Sequence, residues 1–142
     1  MEFEVNTVFG PMRCKITSNS KEEEIKRVFI YGNCHSFALA VHKLTGWPLL
    51  GVFRPSDMRD GMPSHVIVED PLGRYVDIEG FRYPQEFEED WHATSIKPVN
   101  PWHIRAWIRR RNKTGSGYRP TRVKDSIPFA EKVLRSAPVP KS

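Results

Sequence analysis

Cysteine is scarce in this chain: two in 142 residues, Cys14 and Cys34. Two cysteines cannot make the disulfide framework on which small secreted scaffolds depend, and a single Cys14–Cys34 bond is the most they allow. No apolar run approaches the roughly 18 residues that a membrane-spanning helix needs. There is no internal repeat and no low-complexity tract, which argues against solenoids and compositionally biased linkers. The first residues, Met1-Glu-Phe-Glu-Val5, are acidic and lack the basic and apolar regions of a signal peptide. The expectation is a soluble, cytoplasmic protein in a reducing compartment, without a membrane partner.

What is present suits one domain with a real core. Apolar residues make up 39% and charged residues 27%, ordinary values for a globular protein. The 12 prolines gather at loops and toward the C-terminus. The formal charge of +5 is unevenly spread: residues 97–142 hold twelve Lys/Arg against two acids, whereas residues 1–96 hold ten against fifteen. An acidic body with a basic tail expects the tail to meet something negative, whether nucleic acid, an acidic protein or the body itself.

Phe3, Val5 and Val8 alternate loosely and predict a strand, with Met12–Thr17 pairing to it across a Gly10-Pro11 turn. Ser20 is placed to cap a helix opened by Lys21 and three glutamates, ending near Tyr31-Gly32. Asn33 is placed to cap a second helix, Cys34–Leu44, with Cys34, Phe37, Ala38, Val41 and Leu44 on one stripe. A strand follows at Pro48–Phe53, then a polar loop from Arg54 to Pro63. Ser64–Glu69 and Arg74–Glu79 predict a hairpin across Asp70-Pro-Leu-Gly73, a type I turn with glycine in the left-handed region. Pro84–Trp91 reads as a short acidic helix, Ser95–Val99 as a strand and Asn100–Arg111 as a helix with proline in its first turn. A Gly/Ser/Pro linker from Lys113 to Arg122 leads to a last helix from Ser126-Pro128 to Arg135. The fold class is α+β, an antiparallel sheet packed on the cysteine-bearing helix. The division expected is a domain over 1–112 and a basic extension over 113–142.

Cys34 falls where a turn meets a helix N-terminus, whose dipole and unpaired N–H groups favour a thiolate and can hold an oxyanion. His65 opens a strand and is the natural base. If Pro71-Leu72-Gly73 is a three-residue loop, Asp70 pairs with Arg74 and Ile67 lies opposite Asp77. His65 and Asp77 then share a face on the diagonal, and Glu79, opposite His65, competes as the orienting acid. His65, Ile67, Tyr75, Asp77 and Glu79 line one face of the hairpin; Val66, Val68, Val76 and Ile78 line the other, which should be buried.

The runs Gly32-Asn-Cys34-His-Ser-Phe-Ala-Leu-Ala40, Leu44-Thr-Gly-Trp-Pro48, Ser64-His65-Val and Gly73-Arg-Tyr-Val-Asp77-Ile-Glu-Gly80 resemble the papain-like cysteine hydrolase superfamily in its small bacterial forms. Those forms include NlpC/P60-like, transglutaminase-like and arylamine-acetyltransferase-like domains. The resemblance covers roughly residues 28–82 and is one of order and context. It implies a papain-like fold, Cys34 as nucleophile, His65 as general base and acid, and Asp77 as the group fixing the imidazole tautomer. It implies a thiol-dependent hydrolase or acyltransferase acting on an amide- or peptide-type bond, with a protein or peptide substrate and no cofactor. Papain has a glutamine upstream of its cysteine that completes the oxyanion hole. Here that stretch is Val28-Phe-Ile-Tyr-Gly-Asn33, so Asn33, Tyr31 or backbone N–H groups are the candidates.

Several other residues have plainer readings. His35 and His42 read as rim histidines. A zinc site from Cys34, His35, His65 and Asp77 has suitable ligand types but lacks close ligand pairs, so no metal is expected. Asp77 could instead serve only to pair with Arg74 or Arg82. Trp102, Ile104, Trp107 and Ile108 alternate with Arg105, Arg109, Arg110 and Arg111. Periodicity favours a helix packing its tryptophans inward and showing arginine to water. Those four arginines are also the candidate contacts of the alternative function, a non-catalytic binding or inhibitor protein on a papain-like scaffold that docks an acidic protein or nucleic acid.

Overall fold

The computed structural model describes residues 2–7, 10–17, 19–30, 33–54, 63–92, 95–114 and 123–137, with side chains from residue 15 onward except at 30, 107, 108 and 110–114. Two strands, β1 (Glu2–Thr7) and β2 (Gly10–Lys15), form an antiparallel hairpin with Thr7 opposite Gly10. Gly10 and Pro11 are therefore strand residues and not the turn expected of them. A strand at the edge of a sheet tolerates proline.

Helix α1 (Glu22–Ile30) carries Glu22, Glu23 and Glu24 in its first turn, where the helix dipole favours acids. Ser20 does not cap it. Its Oγ accepts the Thr17 N–H at 2.8 Å, and the Lys21 carbonyl accepts the N–H groups of Glu24 and Ile25. Helix α2 (Cys34–Thr45) ends on Gly46, whose φ of 75° is the left-handed stop glycine provides. The expected stripe holds for Phe37, Ala38 and Val41, but Leu44 is exposed, and His35, Ser36, Leu39 and Ala40 are buried as well. The helix is covered nearly all round, which suits its apolar composition.

A five-stranded antiparallel sheet follows, in the order β6-β5-β4-β3-β7. Its strands are β3 (Leu49–Phe53), β4 (His65–Glu69), β5 (Tyr75–Asp77), β6 (Gly80–Arg82) and β7 (Ser95–Pro98). The β4–β5 register pairs Val68 with Val76 and Glu69 with Tyr75. The Asp70 N–H donates to the Arg74 carbonyl at 2.9 Å, so the connection is the three-residue loop anticipated, with Gly73 at φ 79°. Asp70 anchors it: Oδ1 accepts the Leu72 and Arg74 N–H groups, and Oδ2 accepts Arg74 Nε at 2.7 Å.

The expected single strand Arg74–Glu79 is broken. Asp77 Oδ1 accepts the Glu79 N–H at 2.8 Å, Gly80 takes φ 106°, and the chain folds back so that Asp77 pairs with Gly80. An aspartate bonding two residues on, then a glycine, is a turn signal, and it outweighs the β-branched Val76 and Ile78.

Helices cover both sheet faces. Val66, Val68, Val76 and Ile78 pack with α2, α1 and α5 (Val123–Arg135) in the main core. There Phe29 lies against Phe37 and Phe129, ring centroids 5.4 and 5.2 Å apart. Helix α5 starts three residues earlier than anticipated, carries Pro128 within it, and buries Ala130 and Val133 in this core. Ile67, Val52, Leu50 and Phe87 form a second core on the opposite face, under α3 (Pro84–Trp91). That face is not open, because Phe87 and Trp91, four apart on one side of α3, both reach it. Helix α4 (Pro101–Thr114) anchors through Ile104, 1% exposed. Among the described residues, no helix is long and apolar enough to cross a membrane.

Candidate active site

Cys34 is the first residue of α2, half-buried, with a free thiol. The Phe37 N–H donates to the Asn33 carbonyl at 3.1 Å, which marks the first closed helical turn. The N–H groups of the residues before Phe37 have no acceptor four residues back, as at any helix start. Asn33 does not cap with its side chain. It is fully buried, and its Nδ2 donates to the Val28 carbonyl at 3.0 Å, tying the helix start back to α1.

His65 opens β4, opposite Val52 of β3, and is 1% exposed. Its Nε2 lies 3.1 Å from Asp77 Oδ2. The β4–β5 register carries the two residues to the same face, one pair apart, and the buried hydrogen bond spans that diagonal. The ring lies flat on Trp91, centroids 4.1 Å apart at 12°, with Phe87 beyond at 6.2 Å. Its Nδ1 is buried and, among the described residues, has no hydrogen-bond partner.

The thiol and the imidazole bias each other. Burial pushes the Cys34 thiol up, but the His65 charge and hydrogen bonding to His35 hold it well below the ordinary thiol range. Burial pushes His65 down, but the Cys34 charge and the Asp77 hydrogen bond outweigh it and push it up to about 9. The two groups thus shift in opposite directions, the thiol down and the imidazole up.

Asp77 is 3% exposed and fully engaged. Oδ2 accepts both His65 Nε2 and Arg82 at 2.8 Å; Oδ1 accepts the Glu79 N–H. Burial raises its carboxyl, and the His65 hydrogen bond and charge, with Arg82, lower it below the usual value. Arg82 in turn reaches Asp90 of α3 at 2.9 Å and lies 4.8 Å over the Phe87 ring. Helix α3 thus supplies both the aromatic wall beside the imidazole and the far anchor of the arginine.

Glu79 lies in the turn after β5, is exposed, and faces Lys26 at 3.9 Å, while Asp77 occupies the place at His65. Tyr31 lies outside the described residues. Arg105 and Arg109 are exposed on α4, and the side chains of Arg110 and Arg111 lie outside the described set. Arg74 pairs with Asp70, leaving Arg82 as the cation on Asp77.

Two expectations are corrected. His35 is not a rim residue: it is 1% exposed and interacts with the Cys34 sulfur. Nor is Trp102 packed inward, being 64% exposed. His42 is half-buried and bonds the Trp47 carbonyl through Nδ1 at 2.6 Å, which closes the loop after α2. Sequence reasoning missed the roles of His35 and Trp91, whereas Arg82 was one of the two partners it offered for Asp77. Adjacency to the cysteine was a signal for His35, and the Phe87-to-Trp91 spacing was one for the aromatic wall.

Two cavities, of about 170 and about 350 Å³, lie elsewhere and are not lined by Cys34, His65 or Asp77. Among the described residues, no group of three or more His, Cys, Asp or Glu side chains is disposed to hold a metal ion. No protein-family model, curated protein or solved structure matches this chain.

Proposed function

We propose that the protein is a thiol-dependent hydrolase or acyltransferase of papain-like type, with Cys34 as nucleophile, His65 as acid and base, and Asp77 as the orienting carboxylate. The observation that carries this is the mutual bias of Cys34 and His65, with Asp77 holding Nε2 of the same ring. Asp77 fixes the tautomer and leaves Nδ1 for the thiol side. A depressed thiol beside a raised imidazole is the protonation pattern that nucleophilic catalysis by cysteine requires.

The thiolate attacks the carbonyl carbon of an amide-type bond, and the oxygen takes the negative charge. The N–H groups of the first α2 turn supply donors for that oxygen. The imidazolium gives its proton to the departing amine as the C–N bond breaks, leaving an acyl thioester on Cys34. Neutral His65 then takes a proton from water or an acceptor amine, which attacks the thioester. Collapse releases the acid or the new amide and returns the proton to the dyad.

Exposure to p-nitrophenyl acetate tests this reading. One equivalent of nitrophenolate per chain should appear in a burst, with acetyl-Cys34 found by peptide mass spectrometry. Cys34→Ala should abolish the burst and His65→Ala should slow it about 100-fold or more. No burst, together with a Cys34 that alkylates at pH 6 no faster than free cysteine, would sink the proposal.

A further inference from the structure

Trp102 is a large aromatic side chain left 64% exposed near the start of α4, with its ring edge-on to His103 at 5.8 Å. Arg105 and Arg109 follow at three and seven residues, so all three lie along one side of the helix, and both arginines are exposed. No aspartate or glutamate occurs between Asp90 and Asp125, a stretch holding nine Lys/Arg. The exposed stripe therefore has no acid on its own helix to neutralise it.

A hollow of about 350 Å³ lies beside the start of this helix, lined by Phe53, Pro63, Val99, Asn100 and His103 among others. Exposed Lys97 brings its ammonium over the Phe53 ring, 5.9 Å from its centroid. An exposed indole and exposed cations, with no acid paired to them among the described residues, therefore lie along this side of α4, and Lys97 lies on the neighbouring strand β7.

We infer that this surface binds a single-stranded polynucleotide, with a base stacked on Trp102 and phosphates met by Lys97, Arg105 and Arg109. Charge complementarity identifies the partner as a polyanion. The exposed indole beside the arginines selects single strands, whose bases present open faces for stacking, over a duplex that hides them. This binding does not depend on the thiol chemistry proposed above.

Fluorescence anisotropy with a labelled oligothymidylate of about 20 nucleotides tests it on the full chain. Three phosphate contacts give a log–log salt slope of about −2, so raising salt fourfold should weaken binding about 20-fold. Trp102→Ala should weaken binding about tenfold or more, and Trp102→Phe should retain most of it. Trp102 is exposed, so thermal melting of Trp102→Ala should match wild type and separate lost stacking from lost folding. Reversal of Arg105 and Arg109 to glutamate should abolish binding and flatten the salt slope, whereas Cys34→Ala should leave it unchanged. The inference is overturned by absence of binding at low salt, by equal or tighter binding of a duplex of the same length, or by indifference to Trp102→Ala. Selective capture of anionic phosphatidylserine vesicles with no oligonucleotide binding would overturn it in favour of a membrane surface.

Discussion

Asp77→Asn tests the buried network most directly. The carboxylate serves three donors: His65 at 3.1 Å and Arg82 at 2.8 Å share Oδ2, and the Glu79 N–H reaches Oδ1 at 2.8 Å. An asparagine keeps the oxygen that Glu79 uses. Its NH₂ then stands where Oδ2 stood and turns its hydrogens toward two other donors. Removing one member of a buried charge pair costs about 3–5 kcal/mol. The Arg82 side chain is 16% exposed and keeps Asp90 as a partner at 2.9 Å. The low end, about 3 kcal/mol, is therefore expected, which most domains survive.

The chemistry should move further than the stability. An imidazole pushed up to about 9 is almost wholly protonated at pH 7. Without the Asp77 hydrogen bond and charge it moves down toward its ordinary value of about 6.5. The thiol, losing imidazolium, moves up toward about 8.5. The assay is iodoacetamide alkylation of Cys34 against pH, read by mass spectrometry beside a urea denaturation curve. Wild type should alkylate at a nearly constant rate through neutral pH, with a second step near 9 as the imidazolium loses its proton. The variant should fall about tenfold or more at pH 6 and climb about tenfold per pH unit, as an ordinary thiol does. A folded Asp77→Asn protein that keeps the flat profile would refute the coupling.

Further outcomes follow from the same geometry. Cys34→Ala removes the largest influence raising His65, so its NMR titration midpoint should drop from about 9; an unmoved midpoint would show that the thiol is not its partner. The Asp77 carboxyl is held below its ordinary value, so its stabilising effect is full above about pH 4 and is lost as pH falls. Asp77→Asn should therefore have a shallower fall in stability than wild type on acidification, measured by urea midpoints at successive pH values. Gly51→Ala would set a methyl 2.8 Å from Val99 Cγ1 and 3.1 Å from Pro63 Cβ. It should cost about 1–3 kcal/mol in denaturant titration, and a neutral result would contradict the packing there. Trp91→Ala should expose the imidazole and shift the alkylation profile, while Trp91→Phe keeps the stack and should restore it.

The hairpin bearing His65 and Asp77 was legible because its determinants are local. Asp70, Pro71 and Gly73 specify the loop, the loop sets the register, and alternation then brings His65 and Asp77 to one face. The strand was harder to end correctly. Val76 and Ile78 suggest continuation to Glu79, and the reversal at Asp77–Gly80 depends on a side chain bonding its own backbone, which hydrophobic pattern does not report. Helix starts failed for a similar reason. Ser20 and Asn33 are suitable caps by type, yet each spends its side chain on the residues behind it, Thr17 and Val28.

The rest of the candidate site was illegible because it arrives through tertiary packing. Trp91 lies 26 positions beyond His65 and meets it only because α3 lies across the sheet. That placement restricts the proposed chemistry. Trp91 covers one face of the imidazole and Asp77 takes Nε2, so the ring edge bearing Nδ1 is left for proton transfer. The same burial excludes water from the His65–Asp77 hydrogen bond, where a charge pair weighs more than it would at the surface. Burial by itself pushes the imidazole's basicity down; the Cys34 charge and the Asp77 hydrogen bond, acting inside that shielded site, overcome it.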